Sequence, residues 1–96
     1  MIKRLRKMPY ANAVVRNYGD IEKDLIVLQS YETDVIIIRD GWLECTGLYS
    51  STTRRHISAF MAEYGNGFNY FDVKKAYEKG YELNILTGEI RHRIRL

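Results

Sequence analysis

The sequence is poor in the residues that usually build disulfides, linkers and membrane spans. It contains one cysteine, one proline and two histidines in 96 residues. Cys45 alone cannot form an internal disulfide, which is typical of a reducing compartment. The longest aliphatic run, residues 35–38, is far shorter than the roughly 20 residues of a membrane-spanning helix. The basic segment 1–8 lacks the apolar stretch of a signal peptide, so we expect a soluble cytoplasmic protein without membrane contact.

The same shortage limits catalytic and metal chemistry. Cys45, His56 and His92 are spaced unlike any structural zinc pattern. A Cys45–His56 dyad is conceivable, but a strand cysteine is by default a small buried hydrophobe. Segment 65–67 has two glycines without the lysine and hydroxyl of a phosphate loop, and no acidic pair stands out as general acid and base. We predict a non-catalytic protein with no metal and no cofactor.

Length and charge set the next limits. A chain of 96 residues with 46% hydrophobic content predicts one domain, residues 1–96, with a single core. The net charge is +3, and the positive charge gathers at both chain ends. Adjacent ends would form one basic patch, whereas separated ends would be ordinary solvated termini. The cations concerned are Lys3, Arg4, Arg6, Lys7, Arg91, Arg93 and Arg95.

Residues 25–46 have the pattern of a three-stranded antiparallel meander. Apolar, partly alternating segments at 25–31, 35–39 and 42–46 predict its strands. Asp40-Gly41 between the second and third is a strong hairpin signal, because a type I′ turn needs positive φ at both central residues. Residues 8–18 are predicted to add an edge strand.

Two helices and a hairpin are predicted beyond the meander. Ser50 or Ser51 caps a long helix that Gly65 ends in left-handed conformation, and Asp72 caps a short helix, 73–79, stopped by Gly80. A hairpin follows at 81–86 and 89–96. The fold class is α+β: an antiparallel sheet, made of the meander and the C-terminal hairpin, with one long and one short helix on one face. The residues that the long helix is predicted to bury are Thr53, Ile57, Phe60, Met61 and Tyr64. In the last strand, the predicted inward residues are Ile90, His92, Ile94 and Leu96, and the predicted outward residues are Arg91, Arg93 and Arg95.

The meander and long helix carry a family resemblance. Residues 30–33 read Ser-Tyr-Glu-Thr, and residues 49–60 read Tyr-Ser-Ser-Thr-Thr-Arg-Arg-His-Ile-Ser-Ala-Phe. This resembles small proteins of phages, plasmids and other mobile elements of Gram-positive bacteria, whose signature is Ser-Tyr-x-Thr, a hairpin, then Trp-Ser-x-Thr-Thr-x-x-His-Ile-x-x-Phe. The match covers residues 25–65 and departs at Tyr49, where the family has Trp. The family has no assigned activity, so the resemblance implies a mobile-element setting.

The start of the long helix is the first candidate site. Free backbone N–H groups, hydroxyls and guanidinium groups there are suited to phosphate. The favoured alternative is structural: one serine caps the helix, Thr53 packs inward, Arg55 is solvated, and His56 orients a neighbouring loop through Ser30 or Thr33. The candidate anion ligands are Ser50, Ser51, Thr52, Arg54, Arg55 and His56.

Two further surfaces are candidates. Arg91, Arg93 and Arg95 at alternate strand positions suit a nucleic-acid backbone, aided by the basic residues of segment 3–7; the favoured alternative is a charged strand that discourages edge pairing, with Glu82 as ion-pair partner. The aromatic residues of loop 68–71 would contact bases or a protein if exposed, but burial is favoured in so small a domain. These aromatic residues are Phe68, Tyr70 and Phe71.

Three functions remain open. The leading hypothesis is a mobile-element protein that inhibits or modulates a host protein or nucleoprotein complex, of the anti-defence type to which anti-CRISPR proteins belong; this is an analogy of setting. The second is direct DNA or RNA binding through the basic termini. The third is a sponge that sequesters a nucleotide at the long-helix start. An exposed edge strand would also permit a homodimer.

Overall fold

A computed structural model describes residues 2–9, 11–19 and 25–93. Seven strands form one antiparallel sheet in the order in which they occur in the chain. Two helices are inserted between the fifth and sixth strands. The elements are β1 (Ile2–Arg4), β2 (Ala13–Asn17), β3 (Leu25–Ser30), β4 (Thr33–Arg39), β5 (Trp42–Cys45), α1 (Ser51–Tyr64), α2 (Tyr70–Lys79), β6 (Tyr81–Asn84) and β7 (Ile90–His92).

The α+β class, the antiparallel sheet and the two helices are confirmed, but the strand grouping differs. The sheet does not divide into a three-stranded meander and a hairpin, because β2 pairs with β3 and β5 pairs with β6. β2 is an internal strand and not the predicted edge; the edge is β1, which the sequence did not indicate. Asp40 and Gly41 have φ values of 53° and 84°, as a type I′ turn requires.

The ends of the helices follow their capping residues. Ser50 caps α1, and its side chain accepts a hydrogen bond from the Thr53 backbone N–H. The prediction of a left-handed Gly65 is wrong: its φ is −79°, and Asn66 and Gly67 have the positive φ values. Gly65 is instead required by crowding, because a Cβ there would lie 2.5 Å from the Met61 carbonyl oxygen.

The second helix starts earlier than predicted. α2 begins at Tyr70 because Asn69, and not Asp72, is its N-cap. The Asn69 side chain accepts from backbone N–H groups of the first turn, while the Asp72 carboxylate accepts from the Asn69 N–H, which completes a capping box. Gly80 ends the helix with a φ of 73°, in the left-handed region.

The core lies between the helices and one face of the sheet. α1 packs against β3 and α2, and α2 packs against β5 and β6. No described helix covers the opposite face, and no described helix has the length and apolar character to span a membrane. Fully buried members of the one apolar cluster include Leu5, Val15, Leu28, Val35, Ile36, Leu43, Ile57, Phe60 and Val73.

Candidate functional site

His56 belongs to a buried hydrogen-bond network that joins α1 to β3. Its Nδ1 atom lies 2.7 Å from the Ser30 Oγ, which lies 3.1 Å from the Thr53 Oγ1. All three residues are buried. Burial lowers the pKa of His56, which favours the neutral ring. His56 is therefore withdrawn from the anion-binding candidates, and its partner is Ser30, the last residue of β3.

The two motifs at residues 30–33 and 49–60 meet at this network. Ser30 and Tyr31 come from the first motif, and Thr53 and His56 from the second. The Tyr31 ring lies over the His56 ring with centroids 5.8 Å apart. Thr33 is exposed and is not part of the network. These motif residues thus tie the helix to the sheet.

The other helix-start candidates do not converge on a common point. Ser50 is occupied as the cap, and its hydroxyl also donates to the Thr53 Oγ1. Ser51, Arg54 and Arg55 are exposed, and Thr52 is half-buried. The geometry is that of a capped helix with a solvated outer face.

Cys45 is held away from the histidine. Its Sγ donates to the Gly47 carbonyl, while His56 bonds Ser30, so the two residues form no dyad. Burial raises the pKa of the Cys45 thiol to about 11, which removes the thiolate at neutral pH. The described residues contain no cluster of three potential metal ligands.

Arg91 and Arg93 do not form the predicted exposed row, because only Arg91 is exposed. Arg91 stacks over the Trp42 ring at 4.0 Å and pairs with Glu82 at 2.6 Å, which is the ion pair expected from the sequence. The Arg93 side chain is only 9% exposed and donates to the carbonyls of Cys45 and Tyr77. Arg95 lies outside the described residues.

The physical reason for this error is that β7 ends at His92. The alternation of inward and outward side chains applies only within a strand. Arg93 follows the strand, and its side chain donates to a carbonyl near the C-terminal end of α2, where cations are favoured. Ile90 and His92, predicted to face inward, are exposed, because β7 is the sheet edge. Ile94 and Leu96 lie outside the described residues.

The two basic ends lie at opposite edges of the sheet, on β1 and β7. At the β1 edge, the buried Leu5 anchors the segment between Lys3 and Arg4 on one side and Arg6 and Lys7 on the other. The Arg6 backbone N–H donates to the Glu63 carboxylate at 3.0 Å, which fixes the segment against α1. All four cations are exposed.

A groove forms where this segment meets α1, with a volume of about 280 Å³. Lys7 and Arg55 line it together, and Arg6 lines the depression beside it. We name it the cationic groove, lined by Lys7, Met8, Arg55, Ser58, Ala59 and Ala62.

Sequence reasoning placed Lys7 and Arg55 in separate candidate sites. Their approach depends on how the N-terminal segment returns over α1, and no local pattern encodes that contact.

Two larger depressions contain charged groups of both signs. One, of about 500 Å³ on the helix-free face, contains the Arg91–Glu82 pair stacked on Trp42. The other, of about 610 Å³, contains Arg4 and Glu32, and the Arg4 guanidinium donates to the Ala11 carbonyl. In the cationic groove, by contrast, Lys7 and Arg55 have no ion-pair partner among the described residues.

The aromatic loop is divided between core and surface. Phe68 and Tyr70 pack against the core, as favoured from the sequence. Phe71 is 73% exposed, with its ring at the edge of the Tyr70 ring. A single exposed phenylalanine does not form an aromatic platform.

Comparison with known proteins gives one match. A model of a protein family of unknown function, DUF8033, matches residues 1–79, which include β1, the cationic groove and both helices. No curated protein and no solved structure matches the chain. The chain belongs to the DUF8033 family, whose function is unknown.

Proposed function

We propose that this chain is a non-catalytic binding protein of a mobile genetic element, which modulates a host protein or nucleoprotein complex in the manner of an anti-defence protein. It binds an acidic surface of that complex through the cationic groove. The observation that carries the proposal is that Lys7 and Arg55, distant in sequence, line one groove without an ion-pair partner among the described residues.

The charge around the groove supports an acidic partner. Lys3, Arg6 and Arg54 are also exposed, and Glu63 is the acidic residue that lines the neighbouring depression. Its carboxylate already accepts the Arg6 N–H. Exposed, unpaired cations raise the association rate with an acidic surface and disfavour basic partners.

The mobile-element setting has separate support. It rests on the resemblance of residues 30–33 and 49–60 to the mobile-element signature. Those residues form the network that fixes α1 on the sheet, and α1 carries Arg55. The residues of the signature thus help to fix the position of α1, which forms one wall of the groove.

Capture from a host lysate tests the proposal with a matched pair of variants. Lys7→Glu/Arg55→Glu reverses both groove cations, and Lys75→Glu/Lys79→Glu reverses two exposed cations of α2. The groove variant should capture its partner at least about tenfold more weakly, because like charges then face each other, while the control should match the wild type. Equal capture by all three proteins would refute the groove as the binding surface.

Direct nucleic-acid binding is a second candidate, supported by the same exposed cations and no longer by an arginine row. It requires that capture disappear after nuclease treatment and that affinity fall steeply with salt. Capture that resists nuclease assigns the groove to a protein surface. The nucleotide-sponge hypothesis has no support from side-chain convergence at the α1 start.

A further inference from the structure

The outer edge of β1 is unpaired within the described part of the chain. Among the described residues β1 pairs only with β2, and its three side chains are all exposed, with Ile2 at 69%. An unpaired sheet edge presents backbone N–H and C=O groups that can bind another extended chain. β1 therefore offers a site for an additional strand.

The charges on β1 argue against a second copy of this chain as the occupant. Two β1 strands can pair in antiparallel fashion with the centre of the pairing at Lys3, and the two Lys3 side chains then lie opposite each other. If the centre lies between Lys3 and Arg4, the lysine of each strand lies opposite the arginine of the other. Like charges directly opposite each other destabilise a strand pair. The homodimer that an exposed edge would permit is thus disfavoured at β1 in these two registers.

The same charges favour an acidic strand. Lys3 lies opposite Val15 of β2, on the helix-covered side of the sheet, and Arg4 lies opposite Val14, on the other side. A new strand with acidic residues would therefore meet a cation on each face. The opposite edge, β7, differs because Arg91 is already paired with Glu82 and stacked on Trp42.

The β1 edge is also continuous with the cationic groove. Leu5 is buried, and the next two residues, Arg6 and Lys7, line the depressions against α1. An extended segment that pairs with β1 can continue into this region without leaving a basic environment. The surface as a whole matches an acidic peptide in extended conformation.

We propose that the outer edge of β1 binds an extended acidic segment of a partner protein as an eighth strand, with Lys3 and Arg4 pairing to its carboxylates. This inference rests on the proposed function and names its partner class. Main-chain hydrogen bonds supply the register and the charges supply the selectivity.

The test separates main-chain pairing from simple charge attraction. A short fluorescent peptide of Val and Glu is titrated and followed by anisotropy, beside a Lys-for-Glu peptide; it contains two consecutive Glu residues, so that one carboxylate lies on each face of the added strand. Two further peptides carry N-methyl groups on alternate backbone nitrogens, one on the odd residues and one on the even residues. A strand bonded along one edge uses the N–H groups of alternate residues, so N-methylation of one set removes them.

The unmodified acidic peptide should bind, and the Lys peptide should not. At least one N-methylated peptide should bind about tenfold more weakly or worse. Lys3→Glu/Arg4→Glu should weaken binding, and Lys75→Glu/Lys79→Glu should leave it unchanged. Circular dichroism checks that each variant is folded.

Two outcomes overturn the inference. If both N-methylated peptides bind as tightly as the unmodified acidic peptide, charge alone attracts the peptide. If the acidic peptide does not bind, the edge accepts no such strand. Both leave the proposed function intact, because that depends on capture of the host partner by the groove. Undiminished capture of the host partner by the Lys7→Glu/Arg55→Glu variant, with peptide pairing preserved, would refute the groove alone.

Discussion

The neutral form of His56 is favoured in the folded protein because its ring is buried against Ser30 and beside the tilted ring of Tyr31. Burial lowers the pKa of His56 from its ordinary value of 6.5, so the unfolded chain binds this proton more readily than the folded one. The contribution of His56 to stability is thus fully present above pH 6.5. It is lost progressively as the pH falls from 6.5 toward the lower pKa of the folded state.

Urea unfolding between pH 7.5 and pH 5 measures this dependence. Wild type should lose stability over the interval, and His56→Gln should show a flatter profile because the titrating group is gone. His92→Gln removes an exposed histidine and should keep the wild-type slope. Identical slopes in wild type and His56→Gln would show that His56 is not the group responsible.

Single residues illustrate what sequence can and cannot predict. A contact of His56 with Ser30 or Thr33 was predicted from the motifs at residues 30–33 and 49–60, because the apolar face of the helix fixes the direction in which the side chain at position 56 points. Arg93 was misplaced because its environment depends on where β7 ends and on the nearby end of α2, both of which are tertiary features.

At the level of elements, the β4–β5 hairpin depends on Gly41. A Cβ at this position would lie 2.9 Å from Leu86 Cδ1 and 3.0 Å from Asn84 Oδ1, and the φ of 84° strains any other residue. The Asn84 side chain cannot move freely, because its Oδ1 accepts hydrogen bonds from the N–H groups of Leu86 and Thr87. Gly41 therefore has both a conformational and a steric requirement.

Replacement of Gly41 and Gly67 by alanine separates these requirements. Gly67 has a similar φ of 94° with no atom within 4 Å of an added Cβ. Gly67→Ala should lower the free energy of unfolding by about 1–2 kcal/mol, the usual cost of the left-handed region for a residue with a side chain. Gly41→Ala should cost more, as measured by urea unfolding. Equal losses would mean that the steric contacts at Gly41 relax freely.

Element prediction succeeded where local chemistry decides. The Asp40-Gly41 turn and the Ser50 cap follow from backbone conformation and free N–H groups, which the sequence states directly. β1 was missed because three exposed residues have no hydrophobic period. The start of α2 was misplaced because both Asn69 and Asp72 can cap, and the capping box uses both.

At the scale of the whole molecule, topology decides where the charge is concentrated. The two basic chain ends look alike in sequence, yet the sheet order places them at opposite edges. At the β7 edge Arg91 and Arg93 are engaged by Glu82 and by backbone carbonyls. At the β1 edge the cations remain exposed and are joined by Arg55 of α1. The number of basic residues at each chain end does not predict which set of cations is paired in the fold.

The most direct test of this account is the location of binding on the molecule. Amide NMR spectra of the labelled protein, recorded during titration with the acidic Glu-Val peptide, report the backbone N–H groups one by one. The account predicts slowed exchange of those N–H groups of residues 2–4 that face away from β2, and shifted resonances in residues 5–8 and 55–62, with residues 90–92 unchanged. Changes confined to Trp42 and Arg91, with the N-terminal segment unaffected, would contradict it.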